Sequence, residues 1–574
     1  MEMVSITVDG QKIQVAKDSS ILEAAQKLGI NIPTLCYHPE LRPEGNCRVC
    51  VVEVEGARSL VASCVYPVNE GMVVRTTTPD VREARKFVVE LLLANHPQDC
   101  LSCERNLNCE LQTMAGDLGI RQVRFEGERK NHPLDNSNPS LVRDQSKCIL
   151  CGRCIRACSE RQGVHVYSYA NRGFNTTVVP AFNQGLHEVA CTYCGQCAAV
   201  CPTAAITIKN DTAPVWKALS DGSKHVVVQT APAVRVALGE ALGLPPGKIA
   251  TGKMVAALRR LGFNKVFDTV FTADVTIMEE GFELLHRLQN GGKLPMITSC
   301  SPGWVNFAEL KYPDLLDHLS SAKSPQQMFG ALVKTYYAEK AGIDPKDIVS
   351  VSIMPCTAKK AEAVREEMNA SGYQDVDYVL TTSELALMIR EAGFDFAALP
   401  EEEFDHPMGI GTGAGVIFGA TGGVMEAALR TVYEVVTGKE LESIEFKEVR
   451  GLQGIKEAQV QVGELTVKVA VVHSLSNARI LMDKVRNGEA DYHFVEIMGC
   501  PGGCIGGGGQ PIIMSAALRQ KRMDSIYECD TCAPIRKSHK NPAVTELYDS
   551  WLGKPLGEKS HHLLHTHYHP QKRV

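Results

Sequence analysis

Two periodicities divide this chain. From about Lys224 onward, short runs of aliphatic and β-branched residues (KHVVVQTAP, DIVSVSIMPC, VDYVLTT and VKVAVVHS) alternate with helical patterns such as the one near Met254 to Leu261. Apolar strands separated by helices predict an α/β domain whose sheets are parallel or mixed. The first 210 residues have weaker and shorter patterns. Residues 3 to 16 read as two strands around the Asp9-Gly10 turn. A helix follows from Ser20, with Glu23 completing a capping box, Ile21, Leu22, Ala25 and Leu28 on its apolar side, and Gly29 as its stop. An amphipathic helix is expected over Val81 to Ala94, and the polar stretch 120 to 145 reads as a connector.

A length of 574 residues allows three or more domains. With a net charge of -6 and 22% charged residues, the chain has neither a nucleic-acid footprint nor a polybasic membrane patch. No apolar run approaches the roughly 18 residues of a membrane span, and MEMVSITVDG opens with an acidic residue and a strand pattern, so a cytoplasmic location is expected. In a reducing compartment, 21 cysteines point to metal ligands rather than disulfides. Fifteen of them lie in the first 201 residues.

The stretch Glu496 to Pro511, EIMGCPGGCIGGGGQP, places Cys500 and Cys504 among seven glycines, where the backbone can close around something held by both sulfurs. Cys300 in TSCSPGW and Cys356 in MPCTAKKAE bring the thiols to four, the number that a cubane iron-sulfur cluster needs. Met354 and Met498 stand two residues before Cys356 and Cys500 and add polarizable apolar surface. All three motifs follow predicted strands, where open α/β sheets place ligands. The alternative is a structural zinc, although zinc ligands usually come as paired CxxC knuckles in small domains.

Earlier in the chain, Cys36, Cys47, Cys50 and Cys64 have a spacing that resembles the [2Fe-2S] ferredoxin domain at the start of iron hydrogenases and of the large iron-sulfur subunit of respiratory complex I. His96, Cys100, Cys103 and Cys109 resemble the [4Fe-4S] module of the same families, held by one histidine and three cysteines. Cys148, Cys151, Cys154 and Cys158, then Cys191, Cys194, Cys197 and Cys201, repeat the run of bacterial two-cluster ferredoxins, in which the fourth cysteine serves the other cluster. Cys201 is therefore expected with Cys148, Cys151 and Cys154, and Cys158 with Cys191, Cys194 and Cys197.

Together, TSCSPGW, MPCTAKKAE and the glycine-rich stretch resemble the three signature motifs of [FeFe]-hydrogenases, in a long form with four accessory clusters. The resemblance implies an α/β catalytic domain (211–574, with a small-subunit-like tail) behind small α+β ferredoxin-type domains at 1–79, 80–119 and 120–210. It implies one [2Fe-2S] cluster, three accessory [4Fe-4S] clusters, and an active-site [4Fe-4S] cluster joined to a two-iron centre with CO, cyanide and a bridging dithiolate. Cys504 would be the bridging thiolate. Ala358 and Lys359 would face the diatomic ligands, with Lys359 donating to cyanide. The reaction would be the reversible union of two protons and two electrons as H2.

A proton path is implied as well. Glu280, Glu283 and Arg287 share one helix face in TIMEEGFELLHRLQN and match family relay positions, with Ser320 as a link between the carboxylates. Without the resemblance, Glu283 and Arg287 would read as an exposed i,i+4 pair. One departure stands out. The common motif is TSCCP, its first cysteine a proton carrier and its second a cubane ligand, whereas here Cys300 is followed by Ser301. Aligned rigidly, Ser301 takes the ligand position and Cys300 the shuttle. Counted by ligand need, Cys300 binds iron and Ser301 offers a hydroxyl. The second is the expectation carried forward.

ITSCSPGW and GEKSHHLLHTHY look closest to NAD(P)-linked multi-subunit enzymes. With no glycine-rich dinucleotide motif in the chain, nicotinamide and flavin would sit on partners: a flavoprotein, small iron-sulfur subunits or ferredoxin, besides maturation proteins. Cys529 and Cys532 in YECDTCAP and the tail HHLLHTHYH receive no assignment. The competing readings are an electron-transfer subunit of a complex I-like dehydrogenase, which leaves Cys300, Cys356, Cys500 and Cys504 unexplained, and a hydrogenase-like sensor of H2.

Overall fold

The computed structural model describes all residues except 1, 442, 464, 512–514 and 574. The chain divides into two compact units, one of residues 1–161, 165–189 and 200–207, the other of 162–164, 190–199 and 208–574.

In the smaller unit, Met3–Val8 and Gln11–Ala16 pair antiparallel, and Asp9 and Gly10 turn between them with positive φ. They belong to a five-stranded mixed sheet that also contains Val73–Arg75, Val51–Val54 and Val61–Ala62. The helix Ile21–Lys27 packs Ile21, Leu22, Ala24 and Ala25 into this core, and both halves of the Ser20/Glu23 capping box are formed. The second helix, Pro79–Ala94, starts two residues before the expected Val81, because Thr78 caps it and a proline is accepted in the first turn. Beyond Asn95 the smaller unit has little regular structure.

The larger unit carries two four-stranded sheets. One is wholly parallel, in the order Lys265–Asp268, His225–Thr230, Ile348–Met354, Tyr378–Thr381. The other is mixed, with Met296–Ile297, Phe494–Met498 and Leu465–His473 parallel and Ile455–Val462 antiparallel at its edge. The inner parallel strands are buried nearly throughout, as parallel sheets flanked by helices must be, whereas the antiparallel edge strand Ile455–Val462 is largely open to solvent. The helix near Met254 runs over Thr251–Leu261, and a 22-residue helix, Thr269–Asn290, carries both glutamates of the expected proton path. No helix among the described residues is long and apolar enough to cross a membrane. The segment 190–199, with Cys191, Cys194 and Cys197, packs as part of this larger unit.

Candidate active site

Each signature motif begins within three residues of a strand's carboxyl end. Cys300 follows Met296–Ile297, Cys356 follows Ile348–Met354 and Cys500 follows Phe494–Met498. All four expected cysteines, with Met354, Met498, Lys359 and Ser301, line one apolar cavity of about 80 Å³. The glycines make this closure possible. Gly503 holds φ at +87°, and a side chain there would meet the Thr421 nitrogen at 2.7 Å; one at Gly507 would meet the Pro355 carbonyl oxygen at 2.1 Å. Glu496, wholly buried, accepts from the N–H groups of Gly422 (2.6 Å) and Met425 (2.8 Å), and so ties the motif strand to the start of the helix Gly423–Thr437.

Burial drives every thiol in the cavity upward: Cys504 to about 12, Cys300 and Cys500 well above their ordinary range, and Cys356 in the same direction. At Cys356 the Lys359 ammonium and the N–H groups of Ala358 and Lys359 oppose that rise. Thiols this reluctant to ionise are poor nucleophiles; they suit a cationic cluster that supplies the missing positive charge. Among the described residues no three His, Cys, Asp or Glu side chains are grouped closely enough to hold a single metal ion. The residues present fit the cubane-linked centre that the motifs imply.

The other expected residues fall as follows. Ala358 is buried and contributes its N–H to Cys356 rather than a face to the cavity. Lys359 lines the cavity, and its Nζ donates to both oxygens of Glu362 (3.1 and 2.9 Å), which also accepts from Ser324 Oγ and Gln326 Nε2. Cys356 acts on both Cys500 and Cys504, and on Cys300 burial acts first, then the charges of Glu280 and Cys504. Ser301, next to Cys300, accepts from the Gly499 N–H at 3.1 Å. Glu280 is buried beside Ser320, and burial, then the nearby Glu283, raise its carboxyl to about 8. Glu283 accepts from Ser320 Oγ (3.0 Å) and Arg287 Nη2 (2.6 Å). That ion pair is largely buried, its side chains 10% and 13% exposed, so it is not the solvated pair that spacing alone suggested.

Gln196, Thr357, Glu362 and Ser324 support the site without having been singled out in the sequence. Gln196 Nε2 donates to the Gly506 carbonyl (3.0 Å) and Thr357 Oγ1 to the Tyr193 carbonyl (2.6 Å), which seats CTYCGQC against the glycine-rich loop, and Cys194 influences Cys500. Only Glu362, three residues after Lys359, left a signal in the sequence.

In the smaller unit, Cys47 N–H points to Cys36 Sγ at 3.4 Å, and Cys36, Cys50 and Cys64 are buried together. The His96 Nδ1 is buried without a partner, and Cys103 acts electrostatically on Cys109. Cys148, Cys151, Cys154 and Cys201 line one small cavity. Cys529 is half-buried at the end of the helix Ala516–Cys532, and Cys532 is exposed.

Comparison with known proteins agrees with this geometry. Residues 224–508 match the model "Iron only hydrogenase large subunit, C-terminal domain", and 516–571 match "Iron hydrogenase small subunit". Residues 1–79 match a 2Fe-2S binding domain, 85–124 an iron-sulfur binding region of NADH-ubiquinone oxidoreductase, and 147–205 a 4Fe-4S dicluster domain. The chain is 52% identical to the NADP-reducing hydrogenase subunit HndD of Solidesulfovibrio fructosivorans over the whole of both chains. It is 42% identical to iron hydrogenase 1 of Clostridium pasteurianum over 99% of this chain and all of that one. A solved apo [FeFe]-hydrogenase HydA1 from Chlamydomonas reinhardtii superposes with a TM-score of 0.57 at 49% identity, covering 63% of this chain and 99% of that one. The match over 224–508 accounts for the half of the chain that an electron-transfer subunit would leave idle. The chain belongs to the iron-only hydrogenase family, as a catalytic subunit with accessory iron-sulfur domains.

Proposed function

We propose that this subunit interconverts H2 with 2 H+ + 2 e-, at a [4Fe-4S] cluster linked through Cys504 to a two-iron centre with CO, cyanide and a bridging dithiolate. The observation that carries this reading is the convergence of Cys300, Cys356, Cys500 and Cys504 from three strand ends on one dry cavity beside Glu280. When bound, that centre supplies the redox chemistry. Cys356, Cys500 and Cys504 would hold it, and Met354 and Met498 would help to keep water out. Lys359, fixed by Glu362, presents its ammonium to the diatomic ligands.

The surroundings of Cys300 and Ser301 favour the rigid alignment over the ligand count. Burial and then the charges of Glu280 and Cys504 act on Cys300, which on this reading carries protons, and Ser301, which accepts from Gly499, would offer the fourth ligand position through oxygen. Protons then pass between Cys300, Glu280, Ser320 and Glu283, and a carboxyl poised near 8 can exchange them at neutral pH.

Four accessory sites would hold the clusters that carry electrons: Cys36, Cys47, Cys50 and Cys64; His96, Cys100, Cys103 and Cys109; and the two halves of the dicluster domain. CTYCGQC is seated on the glycine-rich loop, so a cluster held there would lie beside the active-site motif. The likeness to an NADP-reducing subunit points to an NAD(P)-linked flavoprotein partner, with ferredoxin as the other candidate donor. The test is infrared spectroscopy of anaerobic, maturated protein where metal-bound CO and cyanide absorb, with H2 evolution from reduced methyl viologen on the same sample. Bands with turnover are expected. Complete maturation without bands would remove the proposal, and bands without turnover would favour a sensor.

A further inference from the structure

The C-terminal histidine tail reaches the proposed proton path. Glu283, besides Ser320 and Arg287, accepts from Ser321 through its N–H (3.0 Å) and its hydroxyl (3.1 Å). The same hydroxyl lies 2.8 Å from His565 Nδ1, and His565 Nε2 lies 3.0 Å from Glu279 Oε2. The Glu279 side chain is wholly buried and also accepts from the Tyr548 hydroxyl (2.5 Å) and the Leu556 N–H (2.8 Å). The tail is held to 321–323 by main-chain bonds from Thr566 N–H to the Ser321 carbonyl and from Lys323 N–H to the Leu564 carbonyl, both 2.8 Å. His561, exposed, stacks on His565 at 4.8 Å between ring centres.

Arg287 is badly suited to hand on a proton. Its guanidinium stays charged, and its terminal nitrogens already donate to Glu283 and to the carbonyls of Lys293, Asp317, His318 and Leu319. The imidazole differs. Ser321 has one hydroxyl proton, so when it donates to Glu283 the Nδ1 of His565 must donate to it. When it turns to donate to Nδ1, the ring proton sits on Nε2, facing Glu279. Each change of tautomer moves one proton between the two carboxylates.

We propose that His565 and Glu279 form a buried proton store that exchanges with Glu283 through the Ser321 hydroxyl, making His565 a relay residue for hydrogen turnover. For delivery, the Glu279 O–H bond breaks as Nε2–H forms, Nδ1–H breaks as the serine O–H forms, and the former serine proton passes to Glu283; no electrons move. This rests on the reading that Glu283 carries protons.

The test compares maturated wild type, His565→Gln, His565→Ala, Ser321→Ala, Glu283→Gln and His567→Gln, the last being an exposed control in the same tail. Methyl viologen-driven H2 evolution is measured in H2O and D2O, with infrared spectra of each sample. The expected result is a tenfold or greater loss in His565→Gln and Ser321→Ala, a larger solvent isotope effect, unchanged infrared bands, and recovery of His565→Ala by added imidazole. Wild-type turnover in His565→Gln with an inactive Glu283→Gln overturns the store and leaves the path standing. An active Glu283→Gln removes the path itself. A loss in His565→Ala that imidazole does not restore, or that comes with altered bands, marks a purely structural histidine and also overturns the store.

Discussion

The two units solve the placing of sulfur in opposite ways. In the larger unit the core comes first: buried clusters built on the two sheets fix three strand ends, and the cysteines follow from them. In the smaller unit, past the first sheet, apolar support comes down to two small clusters, one of Leu35, Val49, Val89, Leu111 and Met114 and one of Leu41, Ala157 and Val200, while Leu101 and Leu107 stand 93% and 90% exposed between cysteines of the proposed ligand set. A domain with so little to bury depends on its metal for folding free energy, whereas a packed scaffold holds a site open for a cofactor added later.

The sharpest way to break that contrast is to withhold iron. Hydrogen exchange on iron-free protein should rise on the order of 100-fold or more over residues 96–161, while the strands His225–Thr230, Ile348–Met354 and Phe494–Met498 keep their protection. Loss of protection in those strands would mean that the larger unit is as metal-dependent as the smaller one.

Within the larger unit, Cys504→Ala should abolish turnover by about 1000-fold or more with little change in thermal stability, since the thiol's role is ligation and not packing. Lys359→Met should lose activity and stability together, by about 3–5 kcal/mol, because Glu362 would keep a buried charge with only Ser324 and Gln326 as partners. An equally stable Lys359→Met would show that Glu362 is protonated in the fold. The Cys300 and Ser301 roles separate more finely. Cys300→Ser should cut turnover by roughly 10²–10⁴-fold with the cubane retained, and Ser301→Cys should leave turnover within about tenfold while shifting the cluster's electron paramagnetic signal. The reverse pattern would restore Cys300 as the iron ligand.

The contrast also explains what could be read from the sequence. Ligand spacing is local, so the cysteine runs and the strand before each motif were legible, as were the Ser20 cap and the Asp9-Gly10 turn. Burial is not local. Glu283 and Arg287 show an i,i+4 spacing whether solvated or enclosed, and only packing against 317–321 decides it. Ser321 and His565, 244 residues apart, carry no mutual signal at all, and the ten residues around CTYCGQC join the larger unit through contacts with Thr357 and Gly506 that no motif announces.

The smallest expected effect is a pH slope that belongs to the larger unit alone. Asp274, buried on the helix that bears Glu280 and Glu283, accepts from Thr412 Oγ1 (2.6 Å), Ser538 Oγ (2.7 Å) and Asn541 Nδ2 (2.9 Å), and so pins that helix to two distant segments. Burial outweighs these donors and pushes its carboxyl up to about 7. In the unfolded chain it would titrate near 3.9. Between those values the folded state keeps a proton that the unfolded state has released, so Asp274 contributes a fall in stability of at most about 4 kcal/mol as pH rises from about 4 to 7, and Glu280, raised to about 8, adds a fall that continues to pH 8. Trp216, Trp304 and Trp551, the three tryptophans of the chain, all lie in the larger unit, so denaturation followed by their fluorescence isolates it. Asp274→Asn should make the slope between pH 4 and 7 shallower and leave the part that Glu280 extends to pH 8. A slope between pH 4 and 7 that the substitution leaves unchanged would show that Asp274 does not carry it.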